Sequence, residues 1–209
     1  MGLLITFEGI DGVGKTTQMQ RLSAELLRHG VDVLALREPG GNEVSERIRE
    51  VLLDTRNHGI LPVTEAFLYA SARAQLVAQV LKPALDAGKV VLMDRFVDST
   101  IAYQGYGRGL SIAFLNELNS LATGGLTPDL TILLDMDPAA AVRRSEGTVP
   151  DRIEREGVLF LERVRTGYLE LAKSNARFRQ IDAAEDADAV YTRLSSFVFE
   201  RLEANDGQN

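Results

Sequence analysis

Gly9-Ile10-Asp11-Gly12-Val13-Gly14-Lys15-Thr16, followed by Thr17, is the stretch that decides the fold of this 209-residue chain. Two glycines separated by four residues and followed by Lys and Thr fit the phosphate-binding loop pattern. The flanks agree with it. Leu3-Leu4-Ile5-Thr6-Phe7 is a short apolar run of strand character, and Met19, Leu22, Leu26 and Leu27 recur at helical spacing. Strand, glycine loop and helix form one phosphate-binding device. The loop turns successive backbone N–H groups inward, and the helix N-terminus adds partial positive charge. Residues Gly9 to Thr17 are therefore expected to bind a nucleoside triphosphate. Lys15 would reach its outer phosphates, and the Thr16 hydroxyl would meet Mg²⁺.

Working outward, strand-like and helix-like runs alternate. Strands are expected over 31–36, 89–93, 130–134 and, more weakly, 178–181. Helices are expected over 44–53, 64–87 (bent at Pro83 and closed by Gly88), 111–122, 138–144, 153–175 and 186–202. Residues 205–209 read as a frayed tail. The alternation predicts an α/β fold, a parallel sheet flanked by helices on both faces, in one domain spanning 1–209. The polar run 145–150, between two helices, reads as a short mobile lid over about 143–155.

Composition narrows the function. Apolar residues make up 45% and charged residues 25%, as in a globular protein. With no cysteine there is neither a disulfide framework nor a thiolate metal site. No apolar run approaches a membrane span, and the N-terminus has no basic region of a signal peptide, so a cytoplasmic protein without membrane contact is expected. The net charge of −7 argues against nucleic-acid binding. Lysine occurs only at positions 15, 82, 89 and 173, so arginine supplies the other 19 of the 23 basic residues. Guanidinium forks suit phosphate oxygens, and an acidic chain can still hold an arginine-lined cleft.

The strand ends carry the charge: Glu8, Arg37-Glu38, Asp94-Arg95, and Asp135 with Asp137. In an open parallel sheet those ends border the ligand crevice. Asp94 reads as a carboxylate for Mg²⁺ or its water, and Arg95 as a group aimed at a phosphate. Tyr69 and Arg73, four apart, share a helix face and could stack on a base and bond its carbonyl edge. On pattern alone, a core tyrosine beside a solvated arginine is the more ordinary outcome. The stretch Asp98 to Gly109, rich in hydroxyls, tyrosines and glycine, reads as polar recognition surface rather than core. Arg143 and Arg144 precede the lid, and Arg152 and Arg155 follow it.

Taken in order, Phe7 to Thr17, Arg37-Glu38-Pro39-Gly40-Gly41, Asp94-Arg95-Phe96 with Ser99-Thr100 and Ala102-Tyr103-Gln104-Gly105, Pro128-Asp129-Leu130-Thr131 with Leu134-Asp135, and Asp151-Arg152-Ile153-Glu154 resemble the thymidylate kinase family along nearly the whole chain. The resemblance implies a P-loop NTPase fold with a five-stranded parallel sheet, a homodimer, and transfer of the ATP γ-phosphate to dTMP with Mg²⁺. It also implies roles. Asp11 lies near the sugar 3′-hydroxyl, Arg37 and Arg95 clamp the acceptor phosphate, and Arg49 helps. Tyr69 stacks on thymine and Arg73 reads its carbonyl. Thr100 and Gln104, with Ser99 beside them, read the base edge and its surroundings, and Tyr103 crowds the sugar C2′ against ribose. Gly12 and Val13 stand where some members carry an arginine, so Arg144 or Arg152 from the lid would supply charge beside Lys15. A different deoxynucleotide or deoxynucleoside kinase on the same sheet is the alternative.

Overall fold

The computed structural model describes residues 2–145, 147 and 149–206. Glu146 and Thr148 of the expected lid, and residues 207–209 of the expected tail, lie outside the described residues.

Five parallel strands form one sheet, in the order β2-β3-β1-β4-β5. β1 (Leu3–Glu8) is central, buried at every position, and is followed by α1 (Lys15–Arg28). β2 (Val33–Arg37) lies at one edge and leads to α2 (Glu43–Leu53), which Asn42 caps by accepting from Ser45 N. α3 (Pro62–Leu76) runs through a π-helical turn at 77–81 into α4 (Lys82–Asp86). β3 (Val90–Asp94) pairs with both β1 and β2. α5 (Val97–Thr100) continues into a second π-helical stretch at 101–107, then α6 (Ile112–Thr123). β4 (Leu130–Asp135), α7 (Pro138–Arg144), α8 (Val158–Ser174), the edge strand β5 (Phe178–Asp182) and α9 (Ala187–Asp206) complete the chain.

Alternation along β1 feeds two cores. Leu3, Ile5 and Phe7 join Met19, Leu22 and Leu26 of α1. Leu4 joins Leu76, Val77, Leu81 and Leu85 together with Val91 and Met93. On β1 and β4 the buried Thr6 and Thr131 hydroxyls satisfy one another at 2.9 Å.

Three expectations change. The long helix is interrupted at 77–81, before Pro83 rather than at it. Proline offers no N–H to the carbonyl four residues back, and a wider turn absorbs the missing bond. The helix expected over 153–175 splits: a short 3₁₀ turn at Glu154–Glu156 ends at Gly157, whose φ of 83° breaks the spiral before α8. The stretch 98–109, expected as polar recognition surface rather than core, is partly both: Ala102 and Tyr103 join the core, while Ser99, Thr100, Tyr103 and Gln104 line a cavity. It is helical, with Thr100, Tyr103 and Gln104 at 2%, 7% and 2% exposure, and its polar groups turn inward.

Candidate active site

The phosphate loop joins β1 to α1. Gly14 begins α1 in the left-handed region with no side chain capping the first turn, so the leading N–H groups are free to meet an anion. Two other glycines are there for space. A Cβ on Gly9 would stand 2.3 Å from the Leu134 carbonyl oxygen, and one on Gly12 would stand 2.4 Å from that of Ala141 in α7. Ile10 and Val13, expected at the nucleotide, send their side chains into the core, which leaves their backbone amides as the binding groups.

Lys15 curls into the loop and donates to the Gly9 and Ile10 carbonyls at 3.0 and 2.8 Å. Burial, then the nearby Arg95 guanidinium, pulls its pKa down. The Thr16 hydroxyl donates to the Asp94 carboxylate at 2.7 Å, so the two expected magnesium groups meet at the end of β3. Both are hard oxygen donors of the kind Mg²⁺ prefers. Among the described residues, no group of three or more His, Cys, Asp or Glu side chains could cage a metal alone.

Arg95 is the one described non-glycine residue at positive φ, 71°. Its Nη1 donates to the Gly9 carbonyl at 3.0 Å and to the Tyr168 hydroxyl at 3.1 Å. Its Nη2 donates to Asp11 at 2.7 Å and to the Tyr103 hydroxyl at 3.0 Å. Burial alone would raise the Asp11 pKa, but Arg95 and Lys15 outweigh it and hold the carboxyl well below the usual range. Beneath Arg95 the fully buried Glu8 accepts from Phe96 N, Ser99 and Tyr168, at 2.8, 2.6 and 2.9 Å. Its own burial, helped by Asp98, raises its pKa to about 7.

Two cavities meet here. One, with about 560 Å³ of free space, is lined by Tyr69, Arg73, Ser99, Thr100, Tyr103 and Gln104 among others. The second, about 820 Å³, holds Gly12, Gly14, Thr16, Thr17, Asp94 and four cations: Lys15, Arg37, Arg49 and Arg95. Asp11, Glu38, Arg49 and Arg95 line both. The first has the mixed polar and apolar lining of a small-molecule site.

Arg73 reverses the pattern-based reading. It is the buried member of its pair, at 2% exposure, while Tyr69 is only half-buried. Its guanidinium donates to Glu38 at 2.8 Å, Thr100 at 2.9 Å, Asn119 at 2.6 Å and the Phe96 carbonyl at 3.1 Å. Arg37 and Arg49 both donate to the Pro39 carbonyl at 3.0 Å, and Arg37 also pairs with Glu46.

The lid arginines are placed elsewhere. Arg144 is exposed and donates to the Ala183 carbonyl at 2.8 Å, outside both cavities. Arg152 is buried, donating to the Leu52 carbonyl at 2.6 Å and pairing with Glu65 at 2.7 Å. The acids at the end of β4 are structural: Asp135 holds Arg165 at 2.7 and 2.9 Å, and Asp137 caps α7. Sequence reasoning missed Tyr168 and Asn119, which come to the site from distant helices with no local motif to mark them, and Glu65, which the i, i+4 spacing on α3 places one turn before Tyr69.

This architecture recurs in known proteins. Residues 7–194 match the family described as thymidylate kinase. The chain is 52% identical to the thymidylate kinase of Desulforudis audaxviator over 96% of its own length and 93% of the relative's. It is 48% identical to that of Caldanaerobacter subterraneus subsp. tengcongensis, over 96% of this chain and 97% of that one. The chain belongs to the thymidylate kinase family. The crystal structure of thymidylate kinase from Ehrlichia chaffeensis superposes with a TM-score of 0.77 at 33% identity, covering 94% of this chain and 98% of that one. The thymidylate kinase family thus accounts for the parallel sheet and for the loop beneath it. No helix among the described residues is long and apolar enough to cross a membrane.

Proposed function

We propose that this protein transfers the γ-phosphoryl group of ATP to dTMP, giving dTDP and ADP, in the cytoplasm. The observation that carries the reading is the shared wall. A phosphate-loop cavity and a cavity lined by Tyr69, Arg73, Thr100 and Gln104 meet at Asp11, Glu38, Arg49 and Arg95. Two nucleotides seated in them would present their phosphates to one another across that wall. Phosphoryl transfer asks mainly for such positioning and for charge neutralisation.

In this scheme the loop amides and Lys15 hold the ATP phosphates, while Arg95, Arg37 and Arg49 hold the phosphate of dTMP. Asp11 meets the sugar, Tyr69 stacks on thymine, and Arg73, Thr100 and Gln104 read its edge, with Ser99 steadying Arg95. Thr16 and Asp94 would hold Mg²⁺, which supplies charge neutralisation across the β- and γ-phosphates when bound. An arginine of the 143–155 lid, Arg144 or Arg152, adds to Lys15. Arg144 is the less encumbered of the two, since Arg152 would have to leave Glu65.

Homodimerisation belongs to the same proposal. α2 and α3 leave Val44, Val51, Val63 and Phe67 exposed, at 47%, 44%, 45% and 50%. These side chains are an apolar surface suited to a second copy.

An ADP-release assay across nucleoside monophosphates tests the function. dTMP should be preferred, and ADP release should require Mg²⁺. Preference for another acceptor, or acceptor-independent hydrolysis alone, would overturn it.

A further inference from the structure

Glu65 lies on α3 one turn before Tyr69 and two before Arg73, at 1% exposure. Its Oε1 accepts from Gln104 Nε2 at 3.0 Å and from Arg108 Nε at 3.1 Å. Its Oε2 accepts from Arg108 Nη2 at 3.1 Å and pairs with Arg152 Nη1 at 2.7 Å. Burial opposes the charge, but Arg108, Gln104 and Arg152 overcome it and keep the pKa low. An ionised carboxylate only accepts hydrogen bonds. The Gln104 amide therefore has one orientation available: NH₂ toward Glu65 and carbonyl oxygen away from it.

Gln104 lines the same cavity as Tyr69, Arg73 and Thr100. Among the described residues no donor reaches its Oε1, which leaves an acceptor for whatever fills the cavity. Arg73, which lines the same cavity, gives four of its five N–H groups to the protein and keeps one, on Nη2, to donate. A donor and an acceptor lining one cavity complement a carbonyl next to a ring N–H, as in thymine. A cytosine edge, with an amino group beside an unprotonated ring nitrogen, opposes them at both positions.

We infer that Glu65 is a positioning residue for base selection: by locking the Gln104 amide it makes the cavity refuse a cytosine edge. This rests on the reading of the cavity as the acceptor-nucleotide site. A glutamine at position 65 could itself donate or accept, and Gln104 would be free to turn over.

The test compares dTMP with 5-methyl-dCMP, so that the methyl group is common to both. Glu65→Gln should lower the ratio of their kcat/KM values by about tenfold or more, mainly through KM for 5-methyl-dCMP. Arg108→Gln, which leaves the Glu65–Gln104 bond in place, should keep the ratio near its original value. Direct binding of each monophosphate by calorimetry should give the same ordering. If Glu65→Gln folds and keeps the preference, or if Arg108→Gln lowers it equally, the inference fails while the kinase reading stands. If the unaltered protein does not select dTMP at all, the kinase reading itself fails. Should Glu65→Gln not fold, NMR of the unaltered protein decides: the Gln104 side-chain NH₂ protons should exchange slowly with water, and fast exchange would overturn the lock.

Discussion

Arg95 and Asp11 stand 2.7 Å apart, an ion pair that ties the end of β3 to the phosphate loop after β1. The pair sits where the two cavities join. Each partner sustains the other's charge in a partly buried setting, so in the proposed function neither would have to be recruited when a phosphate arrives.

The polar contacts of Lys15 all lie within the phosphate loop: it donates to the Gly9 and Ile10 carbonyls and pairs with Asp11 at 3.9 Å. Lys15→Ala should therefore reduce kcat by about a hundredfold or more, with a thermal midpoint within a few degrees of the original. Near-normal turnover would refute its phosphate role. A collapse of the melting temperature would show that its role is structural.

Arg73 and Glu38 form a buried pair, with side chains 2% and 4% exposed. Removing one member strands the other. Arg73→Ala should destabilise the protein by about 3–5 kcal/mol in urea unfolding, as well as weakening dTMP binding. A loss below about 1 kcal/mol would mean that water satisfies Glu38.

Tyr103 has two separable parts. Its hydroxyl receives Arg95 Nη2 at 3.0 Å and donates to Asp11 at 3.2 Å, while its ring lines the base cavity. Tyr103→Phe should keep the preference for deoxyribose and lower kcat/KM by about tenfold or more, since it removes the hydroxyl's bonds to both Arg95 and Asp11. Tyr103→Ala should admit the ribose counterpart of dTMP. Equal exclusion of ribose by the alanine variant would remove the ring from that role.

Glu8 faces Arg95, Asp98, Ser99 and Tyr168, and its pKa is raised from 4.5 to about 7. The folded state therefore holds a proton that the unfolded state releases near pH 4.5. Stability from this group is greatest below that pH and falls as pH rises through about 7, by about 3 kcal/mol at most. Unfolding measured from pH 4.5 to 8 should show the decline, and Glu8→Gln should flatten it. An unchanged slope in that variant would assign the pH dependence to other groups.

Much of this could be read from the chain, because the decisive signals are local. The glycine loop, the apolar strands and the α7 start at Asp137-Pro138 each occupy a few adjacent residues, and each forms where expected. Burial of polar groups was not legible. Arg73 meets partners 23 to 46 residues away, and Tyr168 reaches Glu8 across 160. No helical period encodes such meetings. The inward turn of 98–109 was hidden for the same reason: its polar residues answer to α3 and β1, not to water.

Gly12 leaves no room between the loop and the last turns of α7, where its missing Cβ would press on the Ala141 oxygen and on Ser145. In the proposed function this seats the root of the 143–155 lid directly on the loop that would cradle ATP. A shift of that loop on triphosphate entry would then be passed to α7 by contact alone, with no messenger residue between occupancy and closure.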